Sequence, residues 1–139
     1  MIVLDTNVLS ALMGNAPEET VAGWLDAQPR GIVWTTSLTI FEVRLGLLTM
    51  PPGRRRTSLE QDFDKCIETI LQNRVLDFDQ SAAEEAASLE ASRRRTGRPH
   101  ELRDSMIAGI AIAHRATLAT RNTRHFADLP VPVIDPWHA

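Results

Sequence analysis

Short apolar runs alternate with longer segments of helical periodicity along this chain, and that alternation leaves few folds open. Residues 2–4, 32–35, 75–78, 117–120 and 133–134 each have the length and composition of a buried strand. Between them the spacing of apolar residues predicts helices. A short one covers 8–13 and stops at Gly14-Asn15. The next starts near Pro17, with Glu18 and Glu19 in its first turn and Val21, Trp24 and Leu25 on one face. Ser37 reads as the N-cap of a helix to about Leu48, ended by Pro51-Pro52-Gly53. A fourth covers about 57–73. Ser81, with Glu84 completing a capping box, opens a fifth that runs to about Arg95. The last covers 102–114 and, being rich in Ile and Ala, should be largely buried. Strands separated by helices pair in parallel through right-handed crossovers. The expectation is one α/β domain over residues 1–139, built on a parallel sheet of these five runs. The order of the strands is left open.

Composition narrows the function classes. Apolar residues make up 43%, enough for a real core, and the net charge of −3 offers no global basic field. Any contact with nucleic acid must therefore be local. The lone Cys66 has no intrachain disulfide partner and should be a buried helix residue, as suits a reducing cytoplasm. No apolar run approaches the ~20 residues that span a bilayer, and no basic stretch leads into a long apolar one. A cytoplasmic protein without membrane contact is expected.

The chemistry-bearing residues sit at the junctions. Asp5 follows Ile2-Val3-Leu4, so its carboxylate emerges at the carboxyl edge of the sheet, where open α/β sheets bind ligands. Glu42 falls in the second turn of the helix after the second strand. Asp104 falls in the first turn of the buried helix before the fourth strand, and Asn122 follows that strand. N-terminal helix turns project toward the same rim, so all four can converge. Two carboxylates ~4 Å apart repel by ~4 kcal/mol at an effective dielectric near 20. A hard divalent cation removes that repulsion and prefers oxygen ligands. Taken singly, an Asp in such a turn is a helix cap and a Glu in a helix is solvated. The apolar neighbours Ile40, Phe41 and Val43 around Glu42, and Met106-Ile107-Ala108 beside Asp104, make idle carboxylates there less natural.

Five ordered segments resemble a PIN domain, and within it a VapC-type toxin of the FitB-like subgroup. They are Val3-Leu4-Asp5-Thr6-Asn7-Val8, Ser37-Leu38-Thr39-Ile40-Phe41-Glu42, Leu102-Arg103-Asp104-Ser105-Met106-Ile107-Ala108-Gly109-Ile110-Ala111, Leu118-Ala119-Thr120-Arg121-Asn122-Thr123-Arg124-His125-Phe126 and Val133-Ile134-Asp135-Pro136-Trp137. The resemblance implies helices on both faces of the sheet and an endoribonuclease dependent on Mg²⁺ or Mn²⁺. It also implies a homodimer, a cognate VapB-like antitoxin and a larger toxin–antitoxin complex. By that analogy Asp5, Glu42 and Asp104 form the metal-binding acidic triad, with Asn122 as the fourth catalytic position and Thr6 and Thr120 in support. The departure is Asn122, where many members carry Asp, so one firmly held metal is expected. It also leaves open a module that binds RNA or antitoxin without cutting.

Phosphate contacts need cations. Arg121 and Arg124 flank the fourth segment and are the favoured candidates; Arg54-Arg55-Arg56 and Arg93-Arg94-Arg95 with Arg98 read first as solvated faces. Asp128 and Asp135 read as turn residues and His125 as peripheral to the site. Leu9, Leu12, Met13, Leu45, Leu47, Leu48 and Met50 are candidates for antitoxin docking, against the simpler reading that they are core. An aspartyl phosphatase would want a second Asp where Asn7 stands. A dinucleotide enzyme would want a glycine-rich turn that Asp5-Thr6-Asn7-Val8 lacks.

Overall fold

Ile2, Val3 and Leu4 are all buried, as a strand covered on both faces must be. They form β1 (Ile2–Leu4), whose side chains alternate between two separate cores: Ile2 and Leu4 join one cluster and Val3 the other. The computed structural model describes residues 1–29 and 31–139. Around β1 lie β2 (Val33–Thr36), β3 (Val75–Leu76), β4 (Thr117–Ala119) and β5 (Val133–Ile134). All pair in parallel, in the order β3-β2-β1-β4-β5. The register sets Ile2 beside both Val33 and Thr117, so β1 is the centre of the sheet.

Helices cover both faces. α1 (Thr6–Ala11), α2 (Glu19–Asp26), α3 (Ser37–Thr49) and α4 (Arg54–Lys65) bury Val8, Leu9, Val21, Val43, Leu47 and Phe63 with Ile2 and Leu4. α4 continues into a π-helical turn, Cys66–Ile70, and Cys66 is buried there as expected. α5 (Gln80–Thr96) and α6 (Leu102–Ala113) cover the other face with Ala82, Ile107, Ala108, Ile110 and Ala111. A 3-10 turn, Thr123–Phe126, adds Phe126 to that core. The α/β reading and its five strands hold.

The helix starts differ from the expectation. Thr36, still extended at φ −124° and ψ 157°, caps α3 by accepting from the Thr39 N–H. Ser37 is already helical, and its hydroxyl accepts from the Phe78 N–H instead. Asp79, not Ser81, caps α5 by accepting from the Ala82 N–H. In both cases the true cap lies nearer the strand end, because a cap needs extended backbone and the strand supplies it. The helix expected from about residue 57 starts at Arg54, directly after Gly53.

Candidate active site

The chain leaves β1 to build β2 and β3 on one side, then crosses to β4 and β5 on the other. The carboxyl ends of β1 and β4 thus form the topological switch point, the usual binding crevice of an open parallel sheet. Asp5 follows β1 there, capping α1, and Thr120 follows β4. The Thr120 hydroxyl donates to Asp5 Oδ2 at 2.8 Å, and the Thr6 N–H donates to Asp5 Oδ1 at 2.7 Å. Asp5 is only 5% exposed. Burial pushes its carboxyl up to about 6 against the pull of those two hydrogen bonds, and the charges of Asp104 and Glu42 push it further the same way.

Glu42 reaches the site from the second turn of α3. The Thr6 hydroxyl donates to Glu42 Oε1 at 2.8 Å and lies 3.2 Å from Thr39 Oγ1. A hydroxyl has one proton. With Thr6 committed to Glu42, Thr39 donates to Thr6, and Thr36, 3.3 Å behind Thr39, donates to Thr39. Three threonine hydroxyls thus line up head to tail and end on one carboxylate oxygen, each polarising the next. The other oxygen, Oε2, faces Arg103 Nη1 at 3.6 Å.

Asp104 comes from the first turn of α6. Its carboxyl is raised by burial and by Glu101, an effect opposed by His125 and Arg93. His125 Nδ1 stands 3.5 Å from Asp104 Oδ2. Asn122 is exposed at the start of the 3-10 turn, and its N–H donates to Thr120 Oγ1 at 3.1 Å. The backbone of this residue, rather than its amide group, connects to the Asp5 network. Arg121 lays its guanidinium over Trp137 at 4.9 Å. Arg124 is exposed, and its carbonyl accepts from Arg98.

Among the described residues no three His, Cys, Asp or Glu side chains stand close enough to enclose an ion by themselves. The donor chemistry nonetheless fits a hard dication: carboxylate and hydroxyl oxygens at the rim, and an Asp5 carboxyl raised chiefly by burial and further by the charges of Asp104 and Glu42. Mg²⁺ takes one or two protein carboxylates directly and completes its shell with water and phosphate.

Several features lay outside the sequence reading. Arg103 faces Glu42, and His125 faces Asp104. Arg93, read as part of a solvated basic run, is buried at 1% exposure. Asp128, read as a turn residue, is its ion-pair partner at 2.9 Å. One signal was available: Ala82, Ala86, Leu89 and Arg93 follow the helical three–four spacing, which puts Arg93 on the inward face of α5. Of the residues considered for docking, Leu9 and Leu47 are core, Leu12, Met13 and Met50 pack against it, and Leu45 and Leu48 are exposed.

A PIN-domain family model matches residues 2–132, and the chain belongs to that family. Within it the chain is similar to the VapC ribonuclease Y4jK of Sinorhizobium fredii, with 38% identity over 99% of this chain and 98% of that one. It is also similar to toxin FitB of Neisseria gonorrhoeae, with 33% identity over 99% of each. The crystal structure of FitAcB from Neisseria gonorrhoeae superposes over 100% of both chains, with a TM-score of 0.88 and 33% identity. No helix among the described residues is long and apolar enough to cross a membrane.

Proposed function

We infer that this chain is the toxin of a type II toxin–antitoxin pair, an endoribonuclease restrained by a VapB-like antitoxin. The ribonuclease and toxin activities of its full-length relatives support this. The observation that carries it here is the buried Asp5 carboxyl at the switch point, held by Thr6 and Thr120 and within electrostatic reach of Glu42 and Asp104.

In this reading cleavage depends on Mg²⁺ or Mn²⁺. Such an ion acidifies the water it binds and stabilises charge on the phosphoryl group. Asp5 and Asp104 would hold the ion, directly or through water. Glu42, oriented by the threonine relay, takes the proton of the attacking water. In-line attack would form a new P–O bond as the P–O3′ bond breaks, leaving a 5′-phosphate, and the departing 3′-oxygen would take a proton from solvent to become a 3′-hydroxyl. Arg121, Arg124 and Arg103 contact phosphates, and the amide of Asn122 contributes an oxygen without charge. Phe41, Leu45 and Leu48 form an exposed stripe on α3, 53%, 41% and 64% accessible, which supports assembly with an antitoxin or a second toxin chain.

The test is incubation of a mixed RNA pool with the purified chain, with and without Mg²⁺, alongside Asp104→Asn. Ion-dependent cleavage by the parent and none by a folded Asp104→Asn is expected. A folded parent that binds RNA and leaves it intact in both conditions would reduce the chain to a binding module.

A further inference from the structure

Arg93 is the largest fully buried side chain among the described residues, and it belongs to none of the segments that resemble the family. A buried guanidinium is costly unless its donors are satisfied. Here they are, and the partners come from two elements besides its own. Nε and Nη2 form a fork on Asp128, at 3.0 and 2.9 Å. Nη2 also donates to the His125 carbonyl at 2.6 Å, and Nη1 to Ser105 Oγ at 3.2 Å. Its plane lies 5.8 Å over the ring of Phe126.

The location of those partners gives the arrangement its meaning. Ser105 is the residue after Asp104. His125 faces the Asp104 carboxylate and sits in the 3-10 turn that begins beside Asn122. One side chain therefore ties the first turn of α6 to the turn after β4. Ser105 is itself fixed from behind, since its hydroxyl donates to Glu90 at 2.8 Å.

We propose that Arg93 is a positioning residue for the nuclease site: its fork to Asp128 and its bonds to His125 and Ser105 set the spacing between Asp104 and the Asn122–His125 turn. The proposal rests on the ribonuclease reading above for its effect on catalysis, though not for its effect on the turn. Lysine cannot replace arginine here, because a single ammonium lacks the planar fork that satisfies Asp128 and a carbonyl together.

Arg93→Lys and Asp128→Asn are the variants, each compared with the parent in two measurements. The first is hydrogen exchange of metal-free protein. Amides of residues 122–126 should exchange at least ~10-fold faster in Arg93→Lys, while those of β1 and α3 keep parent protection. The second is RNA cleavage per folded molecule with Mg²⁺. Misplacement on the order of 1 Å costs up to ~100-fold, so kcat should fall ~10–100-fold with KM changed less than about threefold. If Arg93→Lys does not fold, Asp128→Asn, on the half-exposed partner, should show the same pattern at smaller amplitude. Parent-like exchange of the turn, or kcat within about twofold of the parent despite lower stability, overturns the proposal. A parent chain that cleaves nothing rejects the ribonuclease reading instead, and the exchange measurement alone then decides whether Arg93 holds the turn.

Discussion

Asp5 carries an electrostatic cost that the metal-free protein cannot avoid. Its carboxyl titrates at about 6 in the fold against about 4 in an unfolded chain. Between those values the native state binds more protons, so this residue's contribution to stability falls as pH rises from about 4 to about 6, and the penalty stays constant above that. The penalty is at most about 3 kcal/mol. Asp5→Asn should therefore stabilise the protein in a chelator, with a higher Tm at pH 7.5 and little difference near pH 4. Equal gains at both pH values in thermal melts would contradict this. Asn122→Asp adds a charge at the exposed rim and should tighten Mn²⁺ binding about tenfold by titration; unchanged or weaker affinity would remove Asn122 from the ion's surroundings. The placement of Asp5, Glu42, Asp104 and Asn122 was legible because each stands at a strand exit or in a helix's first turns, where local sequence dictates direction. Arg93, Arg103 and His125 were not. Their roles depend on which distant segment packs beside them, and a run of three arginines resembles a solvated face until α6 and the last turn are in place.

Among the helices, α5 and α6 share the most extensive contact. Gly109 of α6 faces Ala82 and Ala86 of α5 so tightly that an added Cβ would lie 2.6 Å from the Ala82 carbonyl oxygen and 2.7 Å from the Ala86 Cβ. Backbone cannot yield as a side-chain tip can, so Gly109→Ala must push the helices apart. A loss of about 1–3 kcal/mol in urea denaturation is expected, together with reduced cleavage, because α6 carries Asp104. A variant of parent stability would mean that the crossing is looser than described. Helix existence was readable from apolar spacing. Helix starts were less so, since Thr36 and Asp79 cap from positions that belong to the preceding strand or its exit, while Ser37 and Ser81 match the usual cap composition equally well.

For the whole molecule, a net charge of −3 offers no global attraction to phosphate, so on the ribonuclease reading RNA would be held by local arginines. If Arg103, Arg121 and Arg124 each meet one phosphate, binding of single-stranded RNA to Asp104→Asn should weaken with salt at a log–log slope of about −2. A slope near zero would exclude them. The sheet's order adds a consequence for how the protein comes into being. Its central strand is the first made, yet the residue that clamps Asp5 lies 115 positions later in the chain. A ribosome must therefore make the chain through Thr120 before the first carboxylate acquires its last neighbour. Fragments stalled before β4 lack the hydroxyl that holds Asp5 and so cannot complete the cleft.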